Sequence, residues 1–246
     1  MTVMRKVAGA LAFSVSLAPQ LASAGIQVQG TRFIYPGDAR EIAVELHNDA
    51  DRPALVQSWL DSGDASADPG TEQLPFVVLP PLVRVGSHAG QTLRIGYTGE
   101  ALPSDRESVF WLNVLDVPPR AEDGDDRNIM RLAFRTRVKL FFRPDGLPGT
   151  LQETAEQLTW SVEPTGDGYV LRAHNEGAYY VSFADVTLNA GGHRYESNDS
   201  GMVAPHGIAD FTLDGLTSSV MAGEVIGYWL NDFGTRHETN YSLTTQ

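Results

Sequence analysis

The sequence predicts an all-β protein made of two antiparallel sandwich domains, and three observations support this. Short runs that alternate apolar and polar residues follow one another and end at Gly, Pro, Asn or Asp, which is typical of sandwiches. No segment shows helical spacing of any length. A stretch rich in Pro and Gly, residues 144–149, separates two series of such runs and predicts an interdomain linker.

The first series contains seven short runs, each expected to form a strand. Turn residues such as Pro36-Gly37-Asp38 and Asn48-Asp49 interrupt the alternation between them. A polar loop follows the third run, and an acidic loop at residues 120–126 follows the seventh. The predicted strands are residues 26–35, 41–47, 54–60, 76–79, 82–85, 92–97 and 107–117.

A longer alternating run covers residues 127–144. From Met130 to Phe142 its even positions are apolar except Thr136, whereas most of its odd positions are basic. Period-two alternation predicts a strand with two unlike faces, and at ~3.3 Å per residue the run would span on the order of 50 Å. Two interpretations stay open from the pattern alone. The run is either an ordinary sheet member or an edge strand with which another protein pairs.

After the linker the strand rhythm resumes, and we expect a second sandwich. Its predicted strands are residues 158–162, 169–174, 179–188, 193–195, 201–203, 209–213, 225–230 and 241–243. The expected domain bounds are therefore residues 25–145 and 146–246.

The first 24 residues predict a secretory signal peptide. Arg5 and Lys6 precede a mostly apolar run at residues 7–18, and Ala22-Ser23-Ala24 is a small-residue cleavage site. Cleavage is expected before Gly25, so the protein is expected to be exported. The apolar run is too short for a membrane span and no later stretch approaches ~20 apolar residues, so no membrane insertion is expected.

Composition excludes several classes of function. The net charge of the 246-residue chain is −13, which argues against a nucleic-acid or anionic-membrane surface. The absence of cysteine excludes disulfides, thiolate metal sites and cysteine nucleophiles. The acidic residues 122–126 do not fit a calcium loop, and the histidines lack ligand spacing. We therefore expect no catalytic residue, no metal and no cofactor.

Several motifs, in order along the chain, carry a resemblance to a known family. The strongest is Pro103-Ser104-Asp105-Arg106-Glu107-Ser108-Val109-Phe110-Trp111-Leu112-Asn113, which continues to Val117-Pro118-Pro119. Further pieces are Thr31-Arg32, residues 90–95, residues 137–144, Tyr179-Tyr180-Val181 and Asn231-Asp232-Phe233-Gly234. On these motifs the chain resembles the periplasmic pilus-assembly chaperones, the PapD-like proteins of the chaperone–usher pathway. The resemblance covers nearly all of the sequence after residue 24.

The resemblance implies two immunoglobulin-like sandwiches arranged in an L with a cleft between them. It also implies donor-strand complementation, in which the chaperone lends a strand to an incomplete pilin subunit. The implied partners are pilin (fimbrial) subunits and the outer-membrane usher. The implied location is the periplasm. Because an exposed apolar edge strand is an aggregation hazard, we expect the free form either to self-associate or to shield this strand with the acidic loop at residues 120–126. The loop of about eleven residues before the long run and the lack of a cysteine pair resemble the short-loop subclass.

Three groups of residues match functional positions of that family. Arg32 and Lys139 match a pair of cations that anchors the subunit's C-terminal carboxylate in the cleft. Met130, Leu132 and Phe134 match the donated apolar residues. Glu107, Arg143 and Asp232 match an interdomain ionic cluster. Without the resemblance, Arg32 and Lys139 would be solvated strand charges, and the three apolar residues would face their own core.

Two other classes of function remain alternatives at this point. A two-domain β-sandwich adhesin or carbohydrate-binding protein would be expected to carry aromatic residues in its loops, whereas here they lie within predicted strands. A secreted hydrolase would need a paired-carboxylate or triad arrangement, and no motif marks one.

Overall fold

A computed structural model describes residues 25–117, 132–166, 168–197 and 200–243. The predicted signal peptide and Met130 lie outside these residues. Nine strands form the first domain, and their bounds are β1(Ile26–Val28), β2(Arg32–Pro36), β3(Glu41–Asn48), β4(Ala54–Asp61), β5(Phe76–Leu79), β6(Leu82–Val85), β7(Gly90–Tyr97), β8(Ser108–Val117) and β9(Phe134–Arg143).

The first domain is a sandwich of two sheets. One sheet has the strand order β1-β3-β7-β5 and the other β2-β9-β8-β4-β6. The described strand pairs of this domain are antiparallel except β2 with β9, which are parallel. Aromatic rings pack between the sheets, with Phe76 and Phe110 centroids 4.9 Å apart and Tyr35 and Phe142 centroids 5.9 Å apart. Each such buried side chain contributes roughly 1.5–3 kcal/mol, so this layer holds the first domain without disulfides.

The second domain has its own core. It begins with a short helix, α1(Leu151–Glu156), followed by the strands β10(Thr159–Thr165), β11(Gly168–Asn175), β12(Val181–Ala190), β13(His193–Glu196), β14(Gly201–Val203), β15(Gly207–Phe211), β16(Glu224–Leu230) and β17(Arg236–Ser242). A sheet of order β10-β11-β15 faces a sheet of order β13-β12-β16-β17, with β14 paired to β12. Trp160 lies at the centre, its ring 5.5 Å from those of Phe183, Phe211 and Tyr241.

Helix α1 contradicts the expectation that no segment is helical. It has only six residues, too few for a periodic apolar pattern to be visible. A side-chain N-cap begins it instead: the Thr150 hydroxyl accepts a hydrogen bond from the Glu153 N–H at 3.1 Å and donates one to the Glu153 carboxylate at 3.0 Å. The Thr-x-x-Glu sequence was therefore the available signal. The helix buries Ala155 against the second core.

The predicted strand at residues 127–144 is shorter in its described part than expected. Strand β9 runs from Phe134 to Arg143, and Leu132 and Ala133 precede it without belonging to a strand. Residues 127–131 lie outside the described residues. The apolar face of β9 divides at Thr136: Val138, Leu140 and Phe142 lie in the domain's own core, whereas Phe134 does not.

Within the described residues, no helix has the length and apolar character needed to cross a membrane. The same part of the chain contains no group of three or more His, Asp or Glu side chains arranged to hold a metal ion.

Candidate functional site

The parallel pairing of β2 with β9 places two cations side by side. Arg32 is the register partner of Lys139. The Nη1 group of Arg32 donates a hydrogen bond to the carbonyl oxygen of Leu230 at 2.9 Å, which crosses from one domain to the other. Arg32 is only 8% exposed, and Lys139 is half-buried. The arginine is therefore more enclosed than a residue of an open cleft.

Neither of these cations has an ion-pair partner among the residues that the structure describes. The Nε group of Arg32 is buried without a hydrogen-bond acceptor in the described part of the chain. Burial, with a smaller repulsion from Arg32, lowers the pKa of Lys139 to about 8. Burial also lowers the pKa of Arg32, and attraction from the Asp232 and Glu107 carboxylates opposes this shift. Two partly desolvated cations without an ion-pair partner among the described residues form a site that would gain from a carboxylate.

Glu107, Arg143 and Asp232 lie in one hydrogen-bonded cluster at the domain junction. The Arg143 Nε group donates to Glu107 Oε1 at 2.7 Å, and both Nη groups donate to the Asp232 carboxylate at 2.8 Å. Glu107 Oε2 accepts a hydrogen bond from the Tyr180 N–H at 2.8 Å. Burial raises the pKa of Glu107, and the Arg143 charge opposes this shift. Because Glu107 and Arg143 belong to the first domain and Asp232 to the β16–β17 turn, the cluster spans both domains.

Among the described strands, only β8 pairs with the N-terminal part of β9. Strand β2 pairs with β9 only from Lys139 onward, so residues 134–138 have β8 on one side and no described strand on the other. Leu132 and Phe134 are 56% and 55% exposed, respectively, at this edge. Unpaired backbone groups beside exposed apolar side chains are the features to which an additional strand can bind.

Sequence reasoning missed the role of the basic face of β9. Arg137 donates to the buried carboxylate of Asp61, and Arg135 donates to the Asn113 side-chain oxygen at 2.8 Å. The two guanidinium groups also lie over indole rings, Arg135 over Trp59 at 4.9 Å and Arg137 over Trp111 at 4.6 Å. These side chains connect β4, β8 and β9 on the outer face of the sheet, so Lys139 differs from both in having no described anionic partner.

Two family models match this chain. The model described as "Pili and flagellar-assembly chaperone, PapD N-terminal domain" matches residues 25–148. The model described as "Pili assembly chaperone PapD, C-terminal domain" matches residues 153–241. This chain belongs to the PapD-like pilus-assembly chaperones. The expected fold class and family are therefore confirmed, and an adhesin is not favoured.

Named relatives agree with this assignment. The chain is similar to the probable fimbrial chaperone YadV of Escherichia coli K12, with 44% identity over 223 residues, 89% of this chain and 90% of that protein. It is also similar to the chaperone protein FimB/FhaD of Bordetella pertussis, with 41% identity over 228 residues, 91% of this chain and 89% of that protein. The family identity of this chaperone implies a non-enzymatic role.

Solved structures share the fold. The crystal structure of the YadV chaperone matches with a TM-score of 0.77 and 41% identity, over 89% of this chain and 100% of that one. A structure of the Salmonella enterica SafA pilin in complex with the SafB chaperone also matches. Its TM-score is 0.73 at 29% identity, over 89% of this chain and 96% of that one.

Proposed function

We propose that this chaperone binds, folds and caps pilus subunits in the periplasm by donor-strand complementation and delivers them to the outer-membrane usher. The observation that carries the proposal is the edge of β9 that no other described strand covers, where Leu132 and Phe134 are exposed in the segment that leads to Lys139. The SafB relative, solved with its pilin, supports a pilin subunit as the partner. An exported location follows from the predicted signal peptide, residues 1–24.

The anchor for the subunit is the cation pair. In this proposal the C-terminal carboxylate of the pilin accepts charge-assisted hydrogen bonds from Arg32 and Lys139. Such bonds contribute about 1.5–3 kcal/mol. Because Arg32 is already held by the Leu230 carbonyl, its guanidinium position is fixed before binding. A fixed anchor also sets the register between the last strand of the subunit and β9.

The donated segment supplies the apolar contacts. Met130, Leu132 and Phe134 are assigned to the groove of the subunit, and each large side chain buried there would contribute about 1.5–3 kcal/mol. Lys139 and Phe134 have opposite parity along β9, so the anchor and this groove residue lie on opposite faces of the strand. In the free chaperone we propose that self-association covers this edge.

The ionic cluster at the domain junction is assigned a role in domain orientation and not in subunit binding. We propose that Glu107, Arg143 and Asp232 fix the angle between two domains, residues 25–145 and 146–246, and thereby the shape of the cleft. Desolvation offsets much of the attraction in such a cluster, so its contribution to orientation exceeds its contribution to stability.

Co-expression with a pilin subunit in the periplasm tests the function. Wild-type chaperone should co-purify with the subunit as a one-to-one complex, whereas Arg32→Ala and Lys139→Ala should each lose the complex. Arg84→Gln, which alters an exposed cation of β6, is the matched control and should capture normally. Normal pilin yield with both cleft variants would contradict the anchor, and failure of the wild type with every subunit encoded beside it would contradict the function.

A further inference from the structure

Asp116 is an unusual residue for its position in β8. It follows Phe110, Leu112 and Val114 on the face that points into the core, yet it carries a carboxyl group. It is 4% exposed, and its Oδ1 atom is buried without a hydrogen-bond partner among the residues that the structure describes. Burying a carboxyl oxygen without a partner is costly. A cation beside this carboxyl group would offset that cost.

Gly25 lies directly against this carboxylate. A Cβ atom built on Gly25 would be 2.3 Å from Asp116 Oδ2, so a side chain at this position would displace the carboxylate. The carbonyl oxygen of Gly25 accepts a hydrogen bond from the Asp49 N–H at 2.9 Å, and the next residue, Ile26, pairs with Asn48 of β3. Gly25 is thus held in place beside Asp116. Its backbone nitrogen is one bond away from the Cα atom on which that Cβ was built, so the nitrogen also lies close to the carboxylate.

The predicted cleavage site makes this nitrogen the end of the chain. A leader peptidase that hydrolyses the bond between Ala24 and Gly25 adds water: the hydroxyl goes to the Ala24 carbonyl carbon and a hydrogen to the Gly25 nitrogen. The amide nitrogen, which is neutral, becomes an amine that takes up a proton at neutral pH. Cleavage before Gly25 therefore creates a cation next to the Asp116 carboxylate.

We propose that the α-ammonium group of Gly25, formed by removal of the leader, binds the Asp116 carboxylate and completes the first domain. The pair has no equivalent in the precursor, where the same nitrogen is an amide, so the mature chain is more stable than any form extended by even one residue. The proposal rests on the predicted cleavage before Gly25 and is independent of pilin binding.

Three forms of the chain test the proposal: one that starts at Gly25, one that starts at Ala24, and one that starts at N-acetylated Gly25. The Gly25 form should melt about 2–8 °C above the other two, since it alone carries the ammonium beside Asp116. Equal melting temperatures of the three forms would overturn the proposal. So would a mass spectrum showing that the exported protein starts at another residue.

A substitution at Asp116 separates the ionic effect from crowding at the chain end. Asp116→Ala should lower the melting temperature of the Gly25 form but raise that of the Ala24 form, in which it removes an unpaired buried carboxylate. Shifts in the same direction in both forms would show a purely structural role and overturn the proposal. If the Asp116→Ala variant does not fold, Asp116→Asn is used for the same comparison. Asp68→Asn, an exposed change in the same domain, should preserve the difference between the forms.

Discussion

Lys139 carries a charge that its immediate surroundings disfavour. Its pKa is about 8 in the free protein, well below the ordinary value of 10.5, because it is half-buried and adjacent to Arg32. Between these two values the unfolded chain binds a proton that the folded chain does not, so this residue makes stability rise with pH across that window. A site of this kind is less stable when empty than when it holds an anion.

Pilin capture should therefore depend on pH. The subunit carboxylate raises the pKa of Lys139 in the complex, so the dissociation constant should rise as pH increases above 8, by up to about tenfold per pH unit. Titration calorimetry or fluorescence anisotropy between pH 7 and 9.5 measures this. Lys139→Met should bind weakly with little pH dependence, and at pH 7 its melting temperature should equal or exceed that of the wild type. Wild-type affinity that stays constant over this range would contradict the assignment.

At the level of a single strand, β9 has a buried half and an exposed end. Its C-terminal half, with Val138, Leu140 and Phe142, fills the chaperone's own sandwich, whereas Phe134 and the preceding Leu132 are exposed. Thr136 lies at the boundary between the two parts. One alternating pattern thus contains both a structural segment and a segment available to a partner.

This division predicts opposite results for two identical substitutions on the same face. Leu132→Asp should leave the melting temperature almost unchanged, because the side chain is already in water, but should block subunit capture by placing a charge in an apolar groove. Leu140→Asp should unfold the first domain, since Leu140 is fully buried. Circular dichroism melts and pilin co-purification measure both effects. If Leu132→Asp also unfolds the free protein, the donated residues are assigned wrongly.

The two faces of β9 also show how far the sequence could be interpreted. The even face predicted a strand correctly, but alternation alone could not show that only some of its apolar residues lie in the domain's own core. The basic odd face suggested a charged surface, whereas Arg137 is paired with Asp61, 76 residues earlier in the chain. Such pairings depend on which strands become neighbours, and that information is absent from local periodicity.

Helix α1 was missed for a different reason, since a helix of about one and a half turns is too short for its period to be seen in the sequence.

At the level of the whole molecule, the two domains meet at Arg143. Arg143 is the last residue of β9, so the strand proposed to bind pilin ends at the contact that joins the domains. In the proposed mechanism, the geometry of the cleft and the position of the donated edge are therefore coupled through the Arg143 side chain. The Arg32 bond to Leu230 is a second contact across the same junction.

Removing different members of this cluster should have unequal effects. Arg143→Met leaves Glu107 buried without its cation and should cost about 3–5 kcal/mol of unfolding free energy. Asp232→Asn should cost less, because the Asp232 carboxylate is partly exposed and Arg143 keeps Glu107 as its partner. Urea unfolding measures the loss of stability in Arg143→Met, and small-angle scattering should detect a changed domain angle in both variants.

Arg172→Met, which removes an ion pair confined to the second domain, is the control and should leave the scattering unchanged. Unaltered stability and scattering in Arg143→Met would contradict the role of the cluster.

Lys139 is also the only lysine after residue 24. An amine with a pKa of about 8 is about one tenth deprotonated at pH 7, far more than an ordinary lysine, so it reacts with acylating reagents more readily than an ordinary lysine side chain. The protein therefore contains a single lysine labelling position, inside its proposed binding cleft. A small environment-sensitive dye attached there would sit where the subunit carboxylate is expected. Bound pilin should protect the amine from the reagent, so the labelling rate would report directly on how much of the chaperone is occupied.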